Sequence, residues 1–324
     1  MINFMRCLCA VTLLYVCWTG EGSATAADLP WTAAYMQAGS EKTGLILFPV
    51  KGHKLTLPLP ANMQKFVFCS FGRDGKTVYL WRPTEAITKI ELDSHRETAI
   101  RGTSGFASIW SLAVVEGSGR IVISGSVGGQ CGTFEIDPIA GTRRALLAGP
   151  NPLCNGGGGE VSPEGRRTVK YVTGNLWLTD LETGVSRVIK GFGGRSSTTA
   201  EQIMWLHGVA WSPDGHWISV DDQDRGIYLI QSDDLKRRKH LASSSGGVAV
   251  SWSPDSKYLL VPKSELRCFL SLYFVSLVAV NIETGKSTKI TNSHCEVISG
   301  QTGWVDPSIV LLASNEKTAR VSGH

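Results

Sequence analysis

The residues in this chain best suited to chemistry are two histidines and a few scattered charges. His207 precedes the segment VAWSPDG at 209–215, and His294 stands at a matching point further on, beside Cys295. Neutral imidazole binds transition metals and titrates near physiological pH, so such a pair is a candidate for a metal ligand and a base. Glu160, Asp221 and Arg101 are the charged residues expected to share a loop-rich face with them. A zinc or manganese site normally takes three or more protein ligands, and only His207 stands out as a first one.

Three other patterns suggest chemistry and lose it on inspection. Gly285-Lys286-Ser287 matches the end of a phosphate-binding loop, but the earlier glycine that the pattern requires would fall on Val280. The acidic run DDQDRG at 221–226 offers alternating carboxylates to a hard cation, yet the further Glu of a calcium loop is missing. No G-x-S-x-G elbow occurs, so the usual serine-hydrolase geometry is absent. The glycine-rich stretch CNGGGGEVSPEG at 154–165 lets backbone approach a ligand closely, and serves equally as a linker.

The elements that position these residues come from an internal repeat. VAWSPDG at 209–215 recurs as VSWSPD at 250–255, as EVSPEG at 160–165 and as SFGRDG at 70–75; LAVVEGSG at 112–119 and GWVDP at 303–307 share the phase. Steps of 44, 46, 50, 41 and 51 residues separate the turns, the period of four-stranded propeller blades. Short runs rich in Val, Ile, Tyr and Trp alternate with Gly, Asp, Asn and Pro, and the turns DLETG at 180–184 and NIETG at 281–285 close equivalent strands.

The expectation is therefore an all-β fold, a six-bladed β-propeller with seven blades as the alternative. Five units start near residues 66, 108, 159, 205 and 248. The sixth is read as two C-terminal strands, about 300–306 and 308–314, completed by GLILFPV at 44–50 and KLTLPLP at 54–60. Closing the ring in this way leaves no sheet edge open between the chain ends. Trp211, Trp252 and Trp304 recur at one phase and are expected to pack blade against blade.

SPDG after an aromatic residue, then DQDRG, IYLI and an ETG turn, resembles the WD40-like repeats of the TolB family over most of residues 66–307. The resemblance implies a TolB-type propeller, here without the additional N-terminal α/β domain of that family. WLHGVAWSPDG also resembles the approach to this motif in propeller-type oligogalacturonate lyases, whose histidines hold a metal; His207 alone carries over.

The first 26 residues read as a signal peptide, with Arg6, an apolar stretch from Cys7 to Trp18, and Ala24-Thr25-Ala26 before the cut. The stretch is short of the roughly 20 apolar residues that span a bilayer, and Val16 is too bulky for a lipobox at Cys17. Residues 27–324 then form one propeller domain, periplasmic or secreted, with no transmembrane segment. Losing Arg6 and Glu21 leaves the net charge at +4, slight and scattered, which argues against nucleic acid. Five cysteines remain. Cys131 and Cys154 occupy the same two loop types as Cys268 and Cys295 three blades later, so two disulfides are expected in an oxidising compartment. Cys69, on an inner strand, is expected to be a free buried thiol.

Two functions fit. One is a non-catalytic binding or scaffolding module, without cofactor, for an envelope or extracellular protein or glycan. The other is a metal-assisted polysaccharide lyase or hydrolase at the channel mouth, with a divalent metal held by His207.

Overall fold

A computed structural model describes residues 29–37, 44–49, 55–58, 68–149, 159–172, 175–191, 208–222, 225–243, 250–264, 275–290, 302–311 and 313–314. Twenty-four strands form six four-stranded antiparallel sheets. Blade 1 is β4 (Phe68–Phe71), β5 (Thr77–Trp81), β6 (Thr88–Glu91) and β7 (Arg96–Ala99). Blade 2 is β8 (Phe106–Val114), β9 (Ile121–Val127), β10 (Gln130–Asp137) and β11 (Thr142–Gly149). Blade 3 is β12 (Glu160–Val161), β13 (Arg167–Val172), β14 (Asn175–Asp180) and β15 (Ser186–Lys190). Blade 4 is β16 (Val209–Trp211), β17 (Trp217–Asp222), β18 (Gly226–Gln231) and β19 (Arg238–Ala242). Blade 5 is β20 (Ser251–Trp252), β21 (Tyr258–Ser264), β22 (Val275–Asn281) and β23 (Ser287–Lys289). Blade 6 is β24 (Thr302–Val305) at its inner edge, followed by β1 (Thr32–Gln37), β2 (Gly44–Phe48) and β3 (Leu55–Pro58). The inner strands β4, β8, β12, β16, β20 and β24 touch in that order and close the ring.

Six blades are thus present, but the last is shared one strand to three rather than two to two. Residues 307–311 and 313–314 are helical, not a strand. Asp306 caps this helix, its carboxylate accepting the Ser308 N–H at 2.8 Å, and Pro307 opens the first turn, where a missing N–H costs nothing. The strand that takes the vacated place is β1, whose Thr32 to Tyr35 pair with Val305 to Thr302.

Five of the six blades form the same turn after the inner strand. The residue after the last inner-strand position donates its N–H to the carbonyl five residues on: Gly72 to Thr77, Val115 to Arg120, Ser162 to Arg167, Ser212 to Trp217 and Ser253 to Tyr258. In blades 3, 4 and 5 the buried serine hydroxyl also accepts the N–H of that later residue, at 2.9 Å each time. Gly72 has no hydroxyl, and Asp74 replaces it by accepting the Thr77 N–H and hydroxyl. The turn then needs a left-handed residue, supplied by Gly75, Gly165, Gly215 and, with φ 59°, Ser256. Ser256 offsets its strain by accepting the Asp214 N–H of the neighbouring blade at 3.0 Å.

The core consists of six apolar clusters, one between each pair of successive blades. Strand β1 shows how alternation serves a propeller: Ala33 and Tyr35 face blade 5, while Ala34 and Met36 face blade 1. Trp211, Trp252 and Trp304 do join blades. Their indole N–H groups donate to the carbonyls of Glu160, Ala210 and Ser251, each in the preceding inner strand, at 3.1, 3.2 and 3.1 Å.

Gly75 tests the closure. Its φ is +64°, and a Cβ there would lie 2.8 Å from the Asp306 nitrogen and 3.0 Å from Trp31; Gly184 has a similar φ of +71° with open space around it. Gly184→Ala should cost about 1 kcal/mol, the left-handed penalty alone. Gly75→Ala should cost at least about 3 kcal/mol in denaturant unfolding, because the backbone of the closing blade must also move.

Candidate functional site: the central channel

The inner strands and their turns enclose a central cavity of about 580 Å3. Its wall is largely aromatic and apolar, with Phe68, Phe71, Trp110, Trp211, Trp252 and Trp304 among the lining side chains. Pro163, Pro213 and Pro254, from the repeated turns, line it at one end.

The residue before the last inner-strand position is Ser70, Ala113, Ala210 or Ser251 in blades 1, 2, 4 and 5, and in blade 6 Gly303 precedes Trp304, the residue in phase with Trp211 and Trp252. Small side chains there leave room for the next blade; a Cβ on Gly303 would strike the Phe71 ring. In blade 3 the same position is Glu160. Its carboxylate accepts the Ser111 hydroxyl at 3.0 Å, while that hydroxyl accepts the Val161 N–H at 2.9 Å. Glu160 lines the channel, so the surface it keeps belongs to the cavity rather than to the exterior. Burial pushes its pKa up to about 7, against the milder opposing effect of the Ser111 bond.

The other charges of the cavity are already engaged. Arg73 lies 3.9 Å from Glu116. The Asp74 carboxylate accepts the Lys76 and Thr77 N–H groups and the Thr77 hydroxyl. Cys69, buried and outside any disulfide as expected, also lines the wall, and burial raises its pKa far above the thiol range.

Of the charged residues expected on one face, the structure brings Glu160 to the channel. Asp221 lies near the end of β17, buried, its N–H donated to the Gly208 carbonyl at 2.6 Å, and it does not line the cavity. Arg101 is exposed and bound to the carbonyls of Pro138 and Ile139 in the β10–β11 turn, with its Nε at 3.2 Å from the former. His207, His294, Cys154, Cys268 and Cys295 lie outside the described residues. Cys131, buried at the start of β10, is not a free thiol, and its partner is also outside them. Among the described residues no three His, Cys, Asp or Glu side chains come together as a metal site, and no helix is long and apolar enough to cross a membrane. Sequence reasoning missed Ser111 and Trp110. Glu160 itself carried a readable signal, a long carboxylate where the other repeats place Ser, Ala or Gly.

With this geometry the chain is similar to TolB from Acinetobacter baumannii, at 13% identity and a TM-score of 0.58 over 85% of this chain and 66% of that one. It matches a chain of a nidogen–laminin complex at 13% identity and 0.57, over 85% and 98%. A putative TolB from Agrobacterium tumefaciens matches at 14% and 0.55, over 85% and 97%. The fold is a TolB-like propeller. No family model matches the sequence, and no curated protein does either.

The raised carboxyl has a thermodynamic consequence. Between its ordinary value of 4.5 and about 7, the folded protein holds a proton on Glu160 that the unfolded chain releases. Stability should therefore fall as pH rises through that window, by at most about 3 kcal/mol from this group. Glu160→Gln, which keeps the shape and the Ser111 contact, should remove that slope in denaturant unfolding measured from pH 4.5 to 7.5.

Proposed function

We propose that the protein is an exported binding or scaffolding propeller, acting without catalysis on an envelope or extracellular protein or glycan. The observation that carries this reading is the channel itself, a concave, aromatic-lined recess of about 580 Å3 enclosed by the ring of blades. The likeness to TolB and to a chain solved in a complex of two proteins is consistent with it. Arg6, the stretch Cys7 to Trp18 and the Ala24-Thr25-Ala26 sequence support export, and with it a periplasmic or secreted location.

A second reading, a metal-assisted polysaccharide lyase or hydrolase with His207 as ligand, draws support from Glu160. A carboxyl that titrates near neutrality inside a cavity suits proton transfer.

Metal content of the purified mature protein separates the two. The binding module should hold less than stoichiometric transition metal by inductively coupled plasma mass spectrometry, and should leave uronic-acid polymers intact. Stoichiometric metal lost in His207→Ala, together with depolymerisation, would establish the enzyme instead. In an oxidising compartment Cys131 should pair with Cys154 and Cys268 with Cys295. Peptide mapping without reductant should recover both, and a free Cys154 would count against the assignment.

A further inference from the structure

The cavity contains four charged residues, and three are accounted for. Arg73 is set against Glu116, and Asp74 is occupied by its own turn. Glu160 has a neutral hydroxyl as its partner, and among the described residues no cation is set against it. Ser111 spends its one proton on Glu160 and its acceptor on Val161, so it has no further donor to offer. Lys170 on the adjoining β13 is buried and does not line the cavity. The strands β16, β20 and β24 contribute no titratable side chain to the wall, and β4 and β5 contribute the Cys69 thiol and the Tyr79 phenol.

A carboxylate at the wall of an aromatic recess complements one class of ligand. An organic cation satisfies both parts, because its charge pairs with the carboxylate while its apolar body and its ammonium are attracted to aromatic faces. An anion would meet Glu160 unfavourably, and a neutral apolar ligand would leave the carboxyl unused.

We propose that the channel is a binding site for an organic ammonium ion, with the charge at the Glu160 carboxylate and the apolar body among Trp110, Trp211 and Trp252. This inference rests on the binding-module reading and names the ligand class of that site. Binding is coupled to a proton: the arriving cation favours ionised Glu160, so near pH 7 a proton leaves as the ligand enters.

Isothermal titration calorimetry of the mature protein with benzylammonium, and with benzyl alcohol as the neutral isostere, tests this. Benzylammonium should bind at least about tenfold more tightly than the alcohol, and Glu160→Gln should remove that preference. At pH 7 the binding enthalpy should differ between phosphate and Tris buffers, reporting proton release, and the difference should vanish near pH 8.5. Ser111→Ala supplies an independent check. Without the hydroxyl bond Glu160 holds its proton more firmly, so affinity should drop at pH 7 and recover at pH 8.5. Equal affinity for the alcohol, an unchanged Glu160→Gln, or no binding of benzylammonium would each overturn the proposal. Inorganic ammonium binding as tightly as benzylammonium would overturn the role given to the tryptophans. Should the cation fail while a purified envelope partner still binds, this inference alone falls; cation binding by a protein that retains no partner would instead count against the scaffolding reading.

Discussion

Four residue pairs hold the two ends of this chain together. Thr32, Ala33, Ala34 and Tyr35 hydrogen-bond in register with Val305, Trp304, Gly303 and Thr302, and everything inside the ring depends on that ladder. The chain between the paired strands is about 265 residues, but loop-closure entropy grows only with the logarithm of length, so the closure is cheaper than its span suggests. A four-pair ladder exposed to water would still be marginal. Here it is buried on both sides, by Tyr35 and Trp304 against blade 5 and by Met36 and Val305 against blade 1. The Asp306 N–H, donated to the Gly75 carbonyl at 2.8 Å, ties the start of the terminal helix to the first repeat turn. Opening this seam would expose two unpaired inner edges and dissolve the channel, whose wall includes Thr302, Gly303 and Trp304.

The ring is regular in backbone and irregular in glue. From blade 3 to blade 6 the joints share one device, an indole N–H given to a carbonyl of the preceding inner strand. The joint between blades 2 and 3 lacks a tryptophan from blade 3, since Val161 stands at that position. Its cluster of fully buried residues is small, Ala113, Val122, Val161 and Leu181. Across this joint run the Ser111–Glu160 and Val161–Ser111 bonds. Among the described residues the polar pair therefore sits at the interface with the smallest buried apolar cluster, at a joint to which blade 3 contributes no indole.

Much of this architecture was legible because it repeats. A turn bond that needs Ser, Gly or Asp at fixed offsets leaves the same letters in each copy, and copies reinforce one another even when one, such as LAVVEGSG, is poor. What occurs once was harder to read. The run SIVLLA at 308–313 suits a buried strand or a short helix equally, and the deciding signal was Asp306-Pro307, a helix start. Strand β1, TAAYMQ, has only Thr32 and Tyr35 as strand-favouring residues beside two alanines, so propensity gave little hint of it; its place is set by what it is buried between. The site divides in the same way. Glu160 could be read against its equivalents, but Ser111 lies 49 residues away and meets it only when blades 2 and 3 are docked. Arg101 belongs to a connection near the outer turn of blade 2 rather than to the channel, a distinction that strand spacing alone does not carry.

The position of Glu160 sets two requirements against each other. Ionised and facing a hydroxyl alone, the carboxylate loses most of its hydration and recovers one hydrogen bond, which is why its proton is held to about pH 7. Alanine or serine, the residues at this position in blades 1, 2, 4 and 5, would avoid that cost. The environment that disfavours the bare charge also magnifies any interaction with an opposite one, because fewer waters screen it. A carboxyl at this position therefore stabilises the ring less than a small residue would, a cost that the cation proposed for the channel would offset.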